Sequence, residues 1–339
     1  MLSLSSIAGH RTLTSLLAHA IARDTLPPTL LFVGPAGVGK FRVARAVAAC
    51  LNCLQPVRDA AGLAVDACQI CRSCTRVDRG VHVDVFAIEP DDRASIKIDV
   101  IREVLASTGF KPFEGQRRVV LLRDADTLEP ASQNALLKSL EEPPPGTVFI
   151  LTTAVPGSLL PTVRSRCIRL RFSRLTVADV VRVLVDQHQF SEGDARDAAA
   201  FADGSVGQAL ALGSTDMGVL RETALLLLRQ TASGLAVAPR LQAAAVVATE
   251  APKKDRPRAD VALVLQSLAS MLRDIELLNS GVDRCALANP TLSDELRGLT
   301  RAFTGTRARD AFSAVDRAMM ALERNAGTKV VSEWLALQI

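Results

Sequence analysis

A glycine-rich turn, placed between an apolar run and a helical stretch, is the part of this sequence best suited to chemistry. Residues 30–33 are Leu-Leu-Phe-Val, and Gly34-Pro-Ala-Gly37-Val-Gly39-Lys40 follows. The glycines allow backbone N–H groups to curve around a phosphate, which the positive end of the following helix attracts. Lys40 then reaches the outer phosphates. The spacing therefore predicts a phosphate cradle that includes Gly34, Gly37, Gly39 and Lys40.

The residue after Lys40 departs from this pattern. A Ser or Thr hydroxyl ordinarily stands there and binds Mg²⁺, whereas this chain has Phe41. The sequence thus predicts a phosphate cradle without its magnesium ligand. Two interpretations stay open: a site that binds nucleotide weakly or without hydrolysis, and a strand-to-helix turn that binds none.

A second group of reactive residues is a run of cysteines. Cys68, Cys71 and Cys74 are separated by two residues each, and Cys53 lies upstream. Four thiolates from one short insertion suit a closed, structural Zn²⁺ site. Free thiols in a flexible insertion are the alternative. Cys50 lies one helical turn before Cys53 and is interpreted as a small buried apolar residue.

Two further apolar runs end in polar residues. Residues 119–122 are continuously apolar, as in a strand buried on both faces of a parallel sheet. Such a strand should end in Asp-Glu, but Arg123-Asp124-Ala125 follows. Either Arg123 replaces the metal-binding Asp, or Asp124 is that Asp and Ala125 replaces the Glu; each register loses one acid. Residues 148–152 form another buried strand, and Thr153 after it is placed to sense a γ-phosphate.

These residues need a sheet to bring them together. Strand and helix patterns alternate from residue 1 to 172, which predicts a doubly wound parallel sheet with the phosphate loop at its carboxyl edge. Strand patterns vanish after residue 173. Short helices are predicted at 176–187 and 192–202 and from 204 onward, and an Ala- and Leu-rich helical region extends to residue 339. The predicted fold class is therefore α/β plus all-α.

Composition narrows the function classes. The 339 residues are 48% hydrophobic and 22% charged, with a net charge of +4, too small to argue for direct nucleic-acid binding. We also expect no exposed aromatic residues interleaved with basic ones. The charged stretch 252–258 is interpreted as a solvated connection, with a nucleic-acid contact as the alternative. No run is long enough to span a membrane, so a cytoplasmic protein is expected.

Several motifs together resemble one family. They are the cysteine insertion, Ile98-Asp-Val-Ile-Arg102, Asn134-Ala-Leu-Leu-Lys-Ser-Leu-Glu-Glu-Pro-Pro144 and Ser165-Arg166-Cys167. In order and spacing they resemble the clamp-loader ATPases of the AAA+ class, over residues 1 to about 213. The resemblance implies an AAA+ nucleotide-binding domain at 1–172 with a zinc module at about 50–75. It also implies a helical lid at 173–213 and a C-terminal helical collar for oligomerisation at 214–339.

The resemblance also implies roles for single residues. Arg166, with Ser165 and Cys167 as its motif, is expected to act in trans as an arginine finger in a neighbouring subunit's ATP site. The alternative is an ordinary surface ion pair between Arg166 and a carboxylate, which contributes little to stability. Phe41, Arg123 and Gly207, the last where active members place a sensing Arg, are three losses on one reaction and indicate a non-motor member.

The implied ligands and partners follow from this resemblance. They are structural Zn²⁺, ATP or ADP bound weakly or without hydrolysis, the tau/gamma and delta subunits, and the sliding clamp and primed DNA through the assembled complex. Two other functions stay open: a catalytically active AAA+ motor like tau/gamma, and a zinc-stabilised DNA-binding module.

Overall fold

The computed structural model describes most of the chain in two compact units. The described residues are 2–91, 95–213, 217–232, 237–249, 257–281, 287–289, 292–323 and 326–339. Unit 1 comprises Met1–Val183 with Gly204–Gly207, and unit 2 comprises Leu184–Asp203 with Gln208–Ile339. The division into three domains at 1–172, 173–213 and 214–339 remains a prediction. Cys285 and most of the predicted charged connection at 252–258 lie outside the described residues.

Unit 1 is built on the predicted parallel sheet. Its strands and those of a small hairpin are β1 (Thr29–Val33), β2 (Val57–Arg58), β3 (Ala64–Asp66), β4 (Val85–Ile88), β5 (Arg118–Leu122), β6 (Thr147–Thr153) and β7 (Ile168–Arg171). The five-stranded sheet has the order β4-β5-β6-β1-β7, and all of its pairs are parallel, whereas β2 and β3 form the antiparallel hairpin. Strands β5 and β6 are buried throughout. Because parallel strands end at the same edge, the turns after β1, β5 and β6 meet there.

Helices cover both faces of this sheet. They are α1 (Arg11–Ala22), α2 (Lys40–Leu51), α3 (Arg72–Arg79), α4 (Ile98–Thr108), α5 (Pro130–Glu141) and α6 (Pro161–Ser165). Successive strand residues point to opposite faces. Leu30 and Phe32 therefore pack in a core with α1 and α2, while Leu31 packs in a second core with α4, α5 and α6.

The remaining helices confirm the predicted all-α region. They are α7 (Val177–His188), α8 (Glu192–Phe201), α9 (Val206–Gly213), α10 (Met217–Ala232), α11 (Val237–Thr249), α12 (Pro257–Asn279), α13 (Ser293–Leu299), α14 (Thr306–Glu323) and α15 (Thr328–Gln338). Unit 2 has its own apolar core, in which Leu268, Met271 and Phe303 are fully buried. Within the described part of the chain, no helix combines the length and apolar character needed to cross a bilayer.

A buried carboxylate organises the loop between α4 and β5. Asp84 is fully buried and accepts hydrogen bonds from the backbone N–H groups of Phe113, Glu114 and Gly115 at 2.7–2.8 Å. The Arg118 guanidinium donates to the same carboxylate at 3.2 Å. Burial by itself raises the pKa of Asp84, but these hydrogen bonds outweigh it and the pKa is lowered.

In the loop that Asp84 holds, the structure differs from the expectation that no exposed aromatic residues are interleaved with basic ones. Phe110 and Phe113 are 74% and 86% exposed, and Lys111 lies exposed between them. Aromatic residues beside a basic one are therefore present on the surface. The composition could not indicate this, because the exposure results from how Asp84 and Arg118 fold the loop backbone.

We expect Asp84→Asn to destabilise unit 1 by roughly 3 kcal/mol, because Arg118 then has no buried counter-charge. The lowered pKa of Asp84 means that its contribution is complete above the ordinary carboxyl pKa near 4. That contribution is lost as the pH falls through the folded-state pKa. Thermal unfolding between pH 6 and pH 3 measures both effects, and the variant should depend less on pH. Asp24→Asn, at an 80% exposed carboxylate paired with Arg117, is the matched control and should leave the curve unchanged.

Candidate functional site

The four predicted zinc ligands lie together. The sulfur atoms of Cys53, Cys68, Cys71 and Cys74 are all within 4.8 Å of one another. Cys53 follows α2, Cys68 follows β3, and Cys71 and Cys74 begin α3. A tetrahedral site with Zn–S bonds of about 2.3 Å holds its sulfur atoms roughly 3.8 Å apart, and the Cys68–Cys74 separation is 4.0 Å. The donor set therefore fits a closed, four-thiolate zinc site.

Backbone N–H groups donate to three of the four sulfur atoms, but the thiol pKa values shift in different directions, since burial raises the pKa values of Cys53 and Cys74. The N–H groups of Cys68, Cys71 and Cys74 donate to the sulfur atoms of Cys53, Cys68 and Cys71 at 3.3–3.5 Å. Burial raises the pKa of Cys71, but the hydrogen bonds outweigh it and lower that pKa to about 6. Cys50 lies outside this group; its Sγ is half-buried and lies 3.4 Å from an Asp66 carboxylate oxygen.

The cysteine module, residues 53–74, also holds the N-terminal segment. Asp66, at the end of β3, accepts hydrogen bonds from the backbone N–H groups of Leu4, Ser5 and Ala67 at 2.8–2.9 Å. Leu2 and Leu4 are buried in the same core as α2. The cysteine module thus supports the helix that follows the phosphate loop.

The phosphate loop lies between β1 and α2, as predicted, and its lysine is turned inward. Lys40 is only 5% exposed, and its Nζ donates to the carbonyl oxygens of Gly34 and Pro35 at 2.7 Å each. Burial lowers the pKa of Lys40, while the negative charges of Asp124 and Asp126 oppose that shift. The cation thus binds its own loop in this structure.

Two residues of the 204–207 segment donate hydrogen bonds to carbonyls of the phosphate loop. Ser205 Oγ donates to the Ala36 carbonyl at 2.9 Å, and the Gly207 N–H donates to the Gly37 carbonyl at 3.1 Å. Gly37 has φ +72°, and a Cβ there would lie 2.2 Å from Ser205 Oγ. Four successive carbonyls, from residue 34 to residue 37, are thus hydrogen-bonded. Within the described residues, the N–H groups of 36–40 have no such partner and are suited to an anion.

Phe41, which stands where a magnesium-binding hydroxyl is expected, contacts a cationic side chain of the same chain. The Arg123 guanidinium lies over the Phe41 ring, 5.6 Å from its centroid. Arg123 also pairs with Glu89 at 2.9 Å and with Asp124 at 3.5 Å. A phenyl ring offers no oxygen ligand, and a guanidinium repels a second cation. The residues present therefore do not fit a magnesium ion.

The turn after β5 contributes Asp124, which the sequence predicts, and also Asp126, which it does not. Asp124 follows β5 in a left-handed conformation (φ 47°) and its N–H donates to Thr152 Oγ1 at 3.2 Å. Thr153 is fully buried, and its hydroxyl donates to Asp126 at 2.6 Å rather than facing an open site. Asp126 therefore joins β6 to the turn after β5. The one sequence feature that could have indicated this role is that Asp126 lies two residues after Asp124, in the turn that follows β5.

The predicted finger residue lies away from this loop. Arg166 ends α6, where its guanidinium pairs with Glu141 at 2.9 Å and is 30% exposed. The surface ion pair that was the alternative to the arginine finger is thus present in the isolated chain. Ser165 precedes Arg166 on α6, and Cys167 is buried, which raises its pKa to about 11.

Comparison with known proteins decides the family. The family model described as "DNA polymerase III, delta subunit" matches residues 9–176, about half of the chain. The chain is 41% identical over 140 residues to DNA polymerase III subunit delta' of Pseudomonas aeruginosa, covering 41% of each protein. The chain belongs to the DNA polymerase III clamp-loader family.

Tau subunits are among the other curated relatives. The chain is 29% identical over 238 residues to DNA polymerase III subunit tau of Escherichia coli, covering 66% of this chain and 35% of tau. With subunit tau of Bacillus subtilis it shares 32% identity over 211 residues, covering 61% of this chain and 36% of tau. The alignments with these clamp-loader relatives thus span between a third and about two fifths of the relatives' own length.

We expect protein purified without chelator to contain about one zinc per chain, because four thiolates close a tetrahedral site. Cys71→Ser should lose the metal and lower the melting temperature. Cys50→Ser is the matched control and should keep the metal. Metal analysis by mass spectrometry with a thermal melt checks both variants, and equal zinc loss from the two would contradict the assignment.

Proposed function

We propose that this clamp-loader chain is a delta prime subunit, a non-motor component that helps to load the sliding clamp on primed DNA. In this proposal it hydrolyses little or no ATP itself and lends Arg166 to a neighbouring motor subunit. The observation that carries the proposal is the contact of Arg123 with Phe41, the residue that replaces the magnesium-binding hydroxyl. The 41% identity with the Pseudomonas aeruginosa delta' subunit supports the same assignment.

The chemistry of phosphoryl transfer makes that contact decisive. Charge develops on the transferring phosphoryl group, and a metal ion normally neutralises part of it, which contributes several kcal/mol. In this chain a guanidinium contacts Phe41, the residue that replaces the metal-binding hydroxyl, and Lys40 binds its own loop carbonyls. Gly207 adds no cation from the lid. ATP or ADP can therefore bind only through the loop N–H groups and Lys40, weakly and without productive hydrolysis.

The contribution in trans depends on Arg166. A guanidinium is planar and permanently charged, so it can neutralise the γ-phosphate of a nucleotide held by another subunit. The proposed partners are the tau/gamma motor subunits and the delta subunit. Contact with the sliding clamp and primed DNA follows through the assembled complex.

An active motor like tau/gamma is the second candidate function. The glycine turn with Lys40 is intact, and the alignment with Escherichia coli tau covers 66% of this chain. Its hydrolysis would have to proceed without the metal hydroxyl and with one acid missing after β5. ATP turnover by the purified chain separates the two candidates.

We expect the purified chain to hydrolyse ATP no faster than its Lys40→Ala variant, because the site does not fit magnesium. Replacing both metal-site residues, Phe41→Thr with Arg123→Asp, should make ATP binding tighter in magnesium than in chelator. Calorimetry of the double variant and of the parent chain measures that difference. Steady turnover that Lys40→Ala abolishes would refute the non-motor assignment.

We expect Arg166→Ala to reduce DNA-stimulated ATP turnover when the chain is mixed with its matching tau/gamma and delta subunits. At the one active site that this chain completes, the loss should be roughly a thousandfold, the typical effect of a missing arginine finger. Single-turnover kinetics of the mixture isolates that site. Arg196→Ala, at an exposed arginine paired with Glu192 on α8, is the control. Unchanged turnover with Arg166→Ala would leave only a scaffold role.

A further inference from the structure

The guanidinium of Arg166 is held in a defined orientation by its own chain. Its Nε and Nη2 atoms lie 3.2 and 2.9 Å from the same carboxylate oxygen of Glu141. Nη1 donates to the Thr162 carbonyl at 3.0 Å. The main chain is fixed as well, because Thr29 Oγ1 donates to the Arg166 carbonyl at 2.7 Å. Both the backbone and the side chain of the residue are thus anchored to unit 1.

The donor geometry shows what remains available. A guanidinium has five N–H groups in one plane. Glu141 takes the side formed by Nε and Nη2, and Thr162 takes one N–H of Nη1. One N–H of Nη1 and one of Nη2 therefore have no partner within the described residues. The end edge of a guanidinium, which one N–H each of Nη1 and Nη2 form, is the edge that grips two oxygen atoms of a phosphate or carboxylate.

The surroundings leave room for such a group. An open pocket of about 430 Å³ borders Arg166, Ser165, Glu141 and Pro143. Glu141 is the last residue of α5, and Arg166 follows α6, so the ends of two helices place the pair. Glu141 belongs to the 134–144 motif, to which the sequence analysis gave no chemical role.

We propose that Glu141 is a positioning residue that presents the end edge of Arg166 to an anionic phosphoryl group supplied by another subunit. This inference rests on the proposed function, in which Arg166 acts in trans. By holding one side of the guanidinium, Glu141 removes most of its rotational freedom before the subunits meet. The two remaining N–H groups are then oriented without further ordering on assembly.

A stability role would have a different signature. An exposed ion pair contributes little to folding, and Glu141 is 59% exposed. Glu141→Ala should therefore leave the melting temperature unchanged. Its effect should instead depend on the presence of Arg166, since Glu141 acts only through that guanidinium.

The test is a double-mutant cycle in the mixture with the matching tau/gamma and delta subunits, ATP and primed DNA. Glu141→Ala should lower the single-turnover rate roughly ten- to a hundredfold, the typical cost of a misplaced catalytic group, and leave the KM for ATP unchanged. In the Arg166→Ala background the same change should cost nothing further. Glu141→Gln should recover part of the rate, because the amide oxygen can still accept from Nε and Nη2.

Glu142→Ala is the matched control, since it removes the adjacent exposed carboxylate, and it should leave the rate unchanged. The inference is overturned if Glu141→Ala has no effect, if it raises turnover, or if it costs as much without Arg166. A rise would make Glu141 an inhibitor of the finger. If Arg166→Ala itself has no effect, the proposed action in trans fails and this inference fails with it, so the two failures are distinguishable.

Discussion

The contact between Arg123 and Phe41 is the interaction on which the proposed non-motor role depends. A phosphate loop at the edge of a parallel sheet collects acidic residues, and a metal ion ordinarily balances them. Here Glu89 and Asp124 are balanced by a guanidinium that also covers the phenyl ring. A side chain of the chain itself thus balances these two carboxylates, in ion pairs that are partly exposed.

A second constraint acts on the loop itself. In a nucleotide site the bound phosphates fix the loop, whereas here two side chains and the backbone N–H of Gly207 bind its carbonyls. Lys40 binds two of them, and Ser205 and Gly207 bind the next two. A glycine at 207 is what allows that backbone to reach Gly37. The shape of a nucleotide domain is therefore held by protein hydrogen bonds.

The sequence predicted the parts of this arrangement that depend on local spacing. The four cysteines lie together because two-residue intervals place Cys68, Cys71 and Cys74 around the start of one helix. The roles of Asp126 and Glu141 could not be predicted in this way. Asp126 reaches Thr153 only because Asp124 turns left-handed, and Glu141 reaches Arg166 only because α5 and α6 end near each other. Both contacts join residues about 25 positions apart, beyond any periodicity.

The two functional cations differ in what their partners leave free. Lys40 is nearly buried and binds two carbonyls of its own loop, so a phosphate must displace protein oxygens before it can use that charge. Arg166 is partly exposed, and its partners take the Nε–Nη2 edge and one N–H of Nη1, so that two N–H groups have no partner within the described residues. An incoming anion can use these N–H groups while the pair with Glu141 stays formed, because a planar guanidinium can bind oxygens on more than one edge. In the proposed function, the chain therefore uses Lys40 on its own loop and offers Arg166 to a nucleotide that another subunit holds.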